Sequence, residues 1–282
     1  FNIAHNENKI TEMPDNYIEE NYTFGNGNYA YRREEGRPMG SFYGYRYKGV
    51  YQNKDATYAR DIEGNVMKDI SGNAIVMRNG SYTVAPGDAI YEDVNHDGVI
   101  NQYDIVYLGN SNPRLTGGAG LNVSYKQFKL SAIFYGRYGQ DVVNATRLNN
   151  ESMRGIDNQS TAVLRRWRNE GDQTDIPRAL YGEGYNTLGS DRFVEDASYL
   201  RLKSLSFTYR LPKKAIQRWG FNNIDVYVTG YNLFTWTNYT GQDPEVKTEN
   251  TYAKDTATTP ASIQLVAGFN FCLLYTSPSP RD

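Results

Sequence analysis

The feature that most constrains this chain is a period of two. Leu121, Val123 and Tyr125 alternate with Asn122 and Ser124, and after Lys126-Gln127 the alternation resumes as Phe128, Leu130, Ala132, Phe134, Gly136 and Tyr138. Such a run sends every second side chain to one face of an extended strand, so it reads as a hairpin closed by a tight turn. The period returns in Leu205, Phe207, Tyr209 and Leu211, in Ile224, Val226 and Val228, and in Ile263, Leu265, Ala267, Phe269 and Phe271. Weaker runs at 1–10 and 42–51 bring the expectation to about seven antiparallel strands, several near the ~9 to 11 residues that cross a bilayer when tilted. The positions between are largely polar, as at Lys129, Ser131, Ser206, Thr208, Asp225, Gln264 and Asn270, although Ile133 and Tyr135 break the pattern.

The connections alternate in length. A long one follows the run at 42–51, the tight turn follows Tyr125, another long one follows Tyr138, a short link spans 212–221, and a further loop precedes the last run. In a bacterial barrel the long loops face outward and the short turns face the periplasm, so this rhythm predicts both an all-β transmembrane barrel wall and its orientation, with Phe271 on the periplasmic side. The stretch 11–40 is the exception, because parity assigns it to the periplasm despite its length. A soluble β-sandwich shares the period, but its strands are usually shorter and connections this long are uncommon in compact domains. Tyr43, Tyr45, Tyr47, Tyr135, Tyr138, Tyr231 and Trp236 stand near strand ends, where a barrel carries its aromatic girdles.

Composition supports that choice. The 282 residues carry a net charge of −2 and 14% aromatics, with 25 Tyr against 11 Phe and 3 Trp. No apolar run approaches the ~18 residues of a membrane-spanning helix, which excludes a helical membrane protein. With 30 basic and 32 acidic residues there is no basic field for nucleic acid. The chain starts at Phe1 inside a strand-like run, with no leader of its own, so further sequence is expected upstream. The string CLLYTSPSPRD at 272–282 reads as one frame of a common transposase sequencing adapter and is set apart from the barrel stretch 1–271. Cys272 is the single cysteine and falls in that tail, so 1–271 has neither disulfide nor thiol chemistry.

One motif carries chemistry. Asp93, Asn95, Asp97, the Val99 carbonyl, Asn101 and Asp104 occupy positions 1, 3, 5, 7, 9 and 12 of a calcium loop, with Gly98 at the turn. Calcium needs six or more hard oxygens around one point, and alternate side chains turned by a glycine converge on one. Position 12 is Asp104 rather than Glu, and no helices flank the loop; an Asp/Asn/Gly-rich turn without an ion is the plain reading. If calcium binds, it is expected to brace an extracellular loop. His5 and His96, the only histidines, are expected in solvated loops. Arg165, Arg166 and Arg168 around Trp167 read as a short amphipathic loop helix, and Asp243-Pro244-Glu245 as a loop anchor rather than an acid/base pair. Gly25-Asn26-Gly27 and Gly117-Gly118 read as turn or strand-entry glycines, not a phosphate loop.

Five segments carry a resemblance. They are GSFYGYRYKGVYQ at 40–52, EDVNHDGVINQYDIVYLGNSNPRLTGG at 92–118, RRWRNEGDQTDIPRA at 165–179, RFVEDASYLRLKSLSFTYRLP at 192–212 and VYVTGYNLFTWTNYTGQDPE at 226–245. In order and spacing they resemble the C-terminal region of SusC/RagA-like TonB-linked outer-membrane proteins. The resemblance implies the C-terminal part of a 22-stranded barrel around an N-terminal plug, in the outer membrane of a Gram-negative, Bacteroidetes-like cell. It also implies active import of oligosaccharides or peptides, with a SusD-like surface lipoprotein as lid and TonB as energy source, and no enzyme activity. The competing expectation is a secreted calcium-binding all-β adhesin or glycan-binding module.

Overall fold

The computed structural model of the chain describes residues 1–13, 28–30, 33–246, 248–249 and 252–273. Its largest sheet has six strands: β1 (Asn2–His5), β2 (Leu115–Tyr125), β3 (Phe128–Tyr138), β4 (Tyr199–Arg210), β5 (Phe221–Thr237) and β6 (Gln264–Leu273). Each pairs antiparallel with the next in chain order, which leaves β1 and β6 as the two edges of an open wall.

The register explains the period of two. Val123, Leu130, Phe207, Val228 and Ala267 form one continuous cross-strand row. One residue along, on the opposite face, the row is Asn122, Ser131, Ser206, Thr229 and Val266. The second row is held by side-chain hydrogen bonds, Ser131 with Asn122 at 2.6 Å and Ser206 with Thr229 at 2.8 Å. The wall therefore has one greasy and one wet face, as a barrel between lipid and an aqueous lumen requires. Large side chains of the greasy face stand exposed, among them Leu121, Val123, Leu130, Phe207, Val228, Leu265 and Phe269.

A bulge at Lys203 preserves this sidedness. Along β4 the greasy residues are Leu200 and Leu202 and then Leu205, Phe207 and Tyr209, a change from even to odd positions. Phe134 pairs with Leu202 and Ile133 with Ser204, so Lys203 has no partner on β3. One extra residue in one strand restores the phase on both sides of it.

The short turns, at Lys126-Gln127 and 211–220, lie at one end of the wall, and the connections 6–114, 139–198 and 238–263 lie at the other. This corrects two expectations. The run at 42–51 is not a wall strand: it divides into Ser41–Gly44, paired with Val106–Asn110, and Tyr47–Val50, paired with Ala89–Tyr91. Phe42, Tyr43 and Tyr45 are fully buried there, because an aromatic-rich alternating run fits a loop core as well as a bilayer face. Without that strand the parity shifts. His5 pairs with Leu115 at the long-loop end, so the first connection leaves and returns on that side, and what is described of 11–40 belongs with it rather than with the periplasm. Residues 14–27, with Gly25-Asn26-Gly27, lie outside the described residues, as do 274–282 of the tail; Cys272 and Leu273 continue β6.

The aromatic girdle is also redistributed. Of the expected residues only Tyr138 and Trp236 stand on the greasy face near the long loops, where Phe234 stacks on Trp236 at 6.1 Å. Tyr135 and Tyr231 fall on the wet face, opposite Arg201 and Ser204. The other end carries its own belt, in which Phe128 packs on Tyr209 at 4.9 Å and Phe269 on Phe271 at 6.0 Å.

The first two long connections share a core. Tyr45, Tyr51, Met77, Tyr91 and Ile100 of the first pack with Tyr185 and Leu188 of the second. Asp88 is fully buried between them and accepts from Arg178 Nε at 2.7 Å, the Tyr82 hydroxyl at 2.7 Å, the Ala85 amide at 2.9 Å and Asn186 Nδ2 at 3.2 Å. A buried carboxylate with that many donors is compensated rather than costly. Gly87, at φ +88°, leaves the space into which the buried Trp167 ring packs; a Cβ there would collide with it.

Deleting Lys203 from the full-length protein is expected to put Leu200 and Leu202 on the wet face and Arg201 on the greasy one, and so to abolish the heat-modifiable barrel band on a denaturing gel; Lys203→Ala, which keeps the extra residue, is expected to retain it.

Candidate functional site at the loop end of the wall

The wet face meets the third long connection in a cluster of charges. Arg201, on β4 just before the bulge, is 2% exposed although it lies between Leu200 and Leu202. Its Nη2 donates to Asp243 Oδ1 at 2.6 Å, its Nη1 to Glu245 Oε2 at 2.8 Å and its Nε to the Thr235 hydroxyl at 2.8 Å. Lys203 Nζ reaches the same Glu245 oxygen at 3.0 Å. Asp243 also accepts from the amides of Glu245 and Ala261, at 2.8 and 2.9 Å, so one carboxylate ties β4 to both ends of the connection. Burial raises the Asp243 carboxyl, but these amides and the Arg201 guanidinium outweigh it and hold the group below its usual range. The expectation that Asp243-Pro244-Glu245 anchors a loop is thus given a partner, Arg201, that alternation alone did not single out. Its signal was an arginine between two leucines beside a break in phase.

The acidic loop is formed by its own amides. Asp93 accepts from Asp97 N at 3.2 Å and Gly98 N at 2.8 Å; Asp97 accepts from Val99 N at 2.7 Å and Asn95 Nδ2 at 2.9 Å. Asn101 accepts from Tyr103 N, and its Nδ2 donates to the Val99 carbonyl at 3.1 Å. Gly98 turns the chain at φ +78°. Asp104, at position 12, is fully buried, and its two oxygens accept from Val94 N and Asn101 N, both at 2.8 Å. Burial is the main force raising its carboxyl; those two amides lower it, and the Asp93 and Asp97 charges add to the rise. Among the described residues no three acidic, histidine or cysteine side chains are grouped to hold a cation. In this arrangement both Asp104 oxygens brace the turn through the Val94 and Asn101 amides.

The remaining candidates take structural places. His5 is exposed, with Nδ1 3.0 Å from the Arg114 carbonyl, and His96 is an exposed turn residue at φ 57°. The arginine run is not an amphipathic α-helix: a 3₁₀ turn at Thr161–Arg165 takes in only its first arginine, and Trp167 is the buried member. Gly117 and Gly118 lie inside β2.

No family model matches the chain. Among curated proteins it is 33% identical over 257 residues to TonB-dependent receptor P3 of Formosa agariphila, covering 89% of this chain and 23% of that one. It is 36% identical over 159 residues to TonB-dependent receptor P26 of the same organism, covering 56% and 16%. Among solved structures it superposes on the RagAB peptide transporter with a TM-score of 0.68 at 25% identity, over 95% of this chain and 26% of that one. A structure of the RagAB peptide importer gives 0.63 at 26%, over 93% and 26%. The chain therefore spans about a quarter or less of the length of these relatives.

Arg201→Met leaves Asp243 buried without its guanidinium, a loss of about 3–5 kcal/mol for a broken buried pair. The third connection is then expected to become protease-sensitive at neutral pH. In the unchanged protein the depressed Asp243 carboxyl contributes stability above its ordinary range, lost as pH falls through its lowered value, so release of the connection should require acid. Equal protease sensitivity of Arg201→Met and wild type at pH 7 would contradict the latch.

Proposed function

We propose that this chain, which in sequence and fold is a stretch of TonB-dependent receptor barrel wall, serves active import across the outer membrane of a Gram-negative cell. The observation that carries the reading is the two-faced wall itself, greasy on one face and hydrogen-bonded polar on the other, with the long connections gathered at one end. Likeness to the RagAB peptide transporter favours a peptide cargo, and likeness to TonB-dependent receptors favours TonB as the energy source, acting through parts of the protein outside this stretch. An oligosaccharide cargo and a SusD-like surface lipoprotein as lid rest on the resemblance of the five sequence segments to SusC/RagA-like proteins. A secreted adhesin is less well supported, since a secreted module has no use for a membrane-height greasy face.

Deleting the full gene or tonB in the native host is expected to abolish uptake of the same fluorescent oligosaccharide or peptide from a screened panel. Uptake of every probe without either gene would overturn the proposal. The residues described here, expressed alone, should not insert as a monomer, because β1 and β6 each leave an edge of backbone groups that lipid cannot satisfy. A protease-resistant, heat-modifiable band from this piece in liposomes would refute that.

The acidic loop carries a separate proposal. Calcium would be held by Asp93, Asn95, Asp97, Asn101 and the Val99 carbonyl, with Asp104 entering only by giving up its amide bonds, and would stiffen the first connection. Slower proteolysis of that connection in calcium, reversed by chelator, is the expected result; identical cleavage in both would remove the ion and leave the amide-braced turn.

A further inference from the structure

The third connection folds back over the wet face and forms with it an open-sided cavity of about 950 Å³. Its charged lining consists of Arg137, Arg201, Lys203 and Lys254 against Asp243 and Glu245. The two carboxylates are already committed. Asp243 is bound by Arg201, and Glu245 is shared between Arg201 at 2.8 Å and Lys203 at 3.0 Å. Arg137 is left at the margin of this network, 4.0 Å from Glu245, with its Nε donating to the Tyr135 hydroxyl at 3.2 Å. No ion pair among the described residues involves Lys254, and Thr256, Thr258 and Thr259 line the same space.

Four cations against two anions leave a surplus of positive charge facing this open-sided cavity, on the side through which a solute would pass. A cleft with low-dielectric walls concentrates that field, and half-buried cations such as Arg137 and Lys254 gain more from a counter-charge than cations in open water do. Arg201 and Lys203 cannot supply this contact without releasing the latch. Arg137 and Lys254 can, and they belong to two different elements, β3 and the third connection, so one anion would bridge wall and loop.

We propose that this cavity is a subsite for an anionic group, a carboxylate or a sulfate, with Arg137 and Lys254 as its charged contacts. That the group belongs to an imported solute rests on the import reading above; the chemistry of the cavity does not. The test uses the full-length protein in detergent and follows acetylation of Lys254 by mass spectrometry at fixed ionic strength in chloride, acetate or sulfate. At roughly 50 mM anion, a dissociation constant near 25 mM would slow Lys254 labelling about threefold, while the exposed Lys68 is unaffected. Protection by acetate alone assigns a carboxylate, and protection by sulfate alone a sulfate. Arg137→Gln, checked for retention of the heat-modifiable band, is expected to abolish it. Protection of Lys254 no greater than that of Lys68, or protection unchanged in Arg137→Gln, overturns the subsite. Loss of uptake with protection intact, or the reverse, separates this subsite from the import reading.

Discussion

Everything in this structure depends on where the backbone hydrogen bonds of the wall go. Within a bilayer no water can satisfy an N–H or C=O, so each strand must be paired on both sides by its neighbours. Five antiparallel pairings meet that demand for the interior strands, and they fix the rest: because opposite residues share a face, a single register aligns Val123, Leu130, Phe207, Val228 and Ala267 toward lipid and Asn122, Ser131, Ser206 and Thr229 toward water. A slip of one residue anywhere would reverse a whole strand. The bulge at Lys203 is the place where the chain accepts an extra residue without that reversal.

The same bulge connects the wall to its loops. By restoring phase it keeps Arg201 on the wet face, where that guanidinium meets Asp243 and Glu245 of the third connection. The latch is a buried ion pair, and such pairs contribute more to holding one arrangement than to net stability, because desolvating both partners offsets much of their attraction. The first two connections are joined differently, by an aromatic core rich in tyrosine and by the Asp88 carboxylate, whose acceptor sites are filled from both segments. The described parts of the long connections are thus packed into the fold, and wall and third connection together line the polar cavity.

Much of this was legible in the residues. Alternation located β2, β3, β4, β5 and β6, the Lys126-Gln127 turn and the end of the wall at which the long connections gather. It failed at 42–51, where Tyr43 and Tyr45 alternate as a lipid-facing strand would but are buried by other loop segments. A two-residue period reports only that one face is apolar; lipid and a protein core satisfy it equally well. The girdle assignments of Tyr135 and Tyr231 failed because position near a strand end does not say to which face a side chain points. In the acidic loop the spacing of Asp93, Asn95, Asp97 and Asn101 was plain, whereas the burial of Asp104 against Val94 and Asn101 amides was not.

By itself the sequence determined the sidedness of the alternating runs in β2 to β6, the tight turn, and the end of the wall at which the long stretches after 51, 138 and 237 gather, since these follow from local periodicity and turn chemistry; it placed 11–40 at the wrong end. The tertiary structure decided which strands are neighbours, that β1 pairs directly with β2 although more than a hundred residues separate them, and that Arg201 faces Asp243 rather than lipid. Those outcomes rest on contacts between residues far apart in the chain. No local pattern encodes them, because the free energy that selects them is gained only when the distant partners meet.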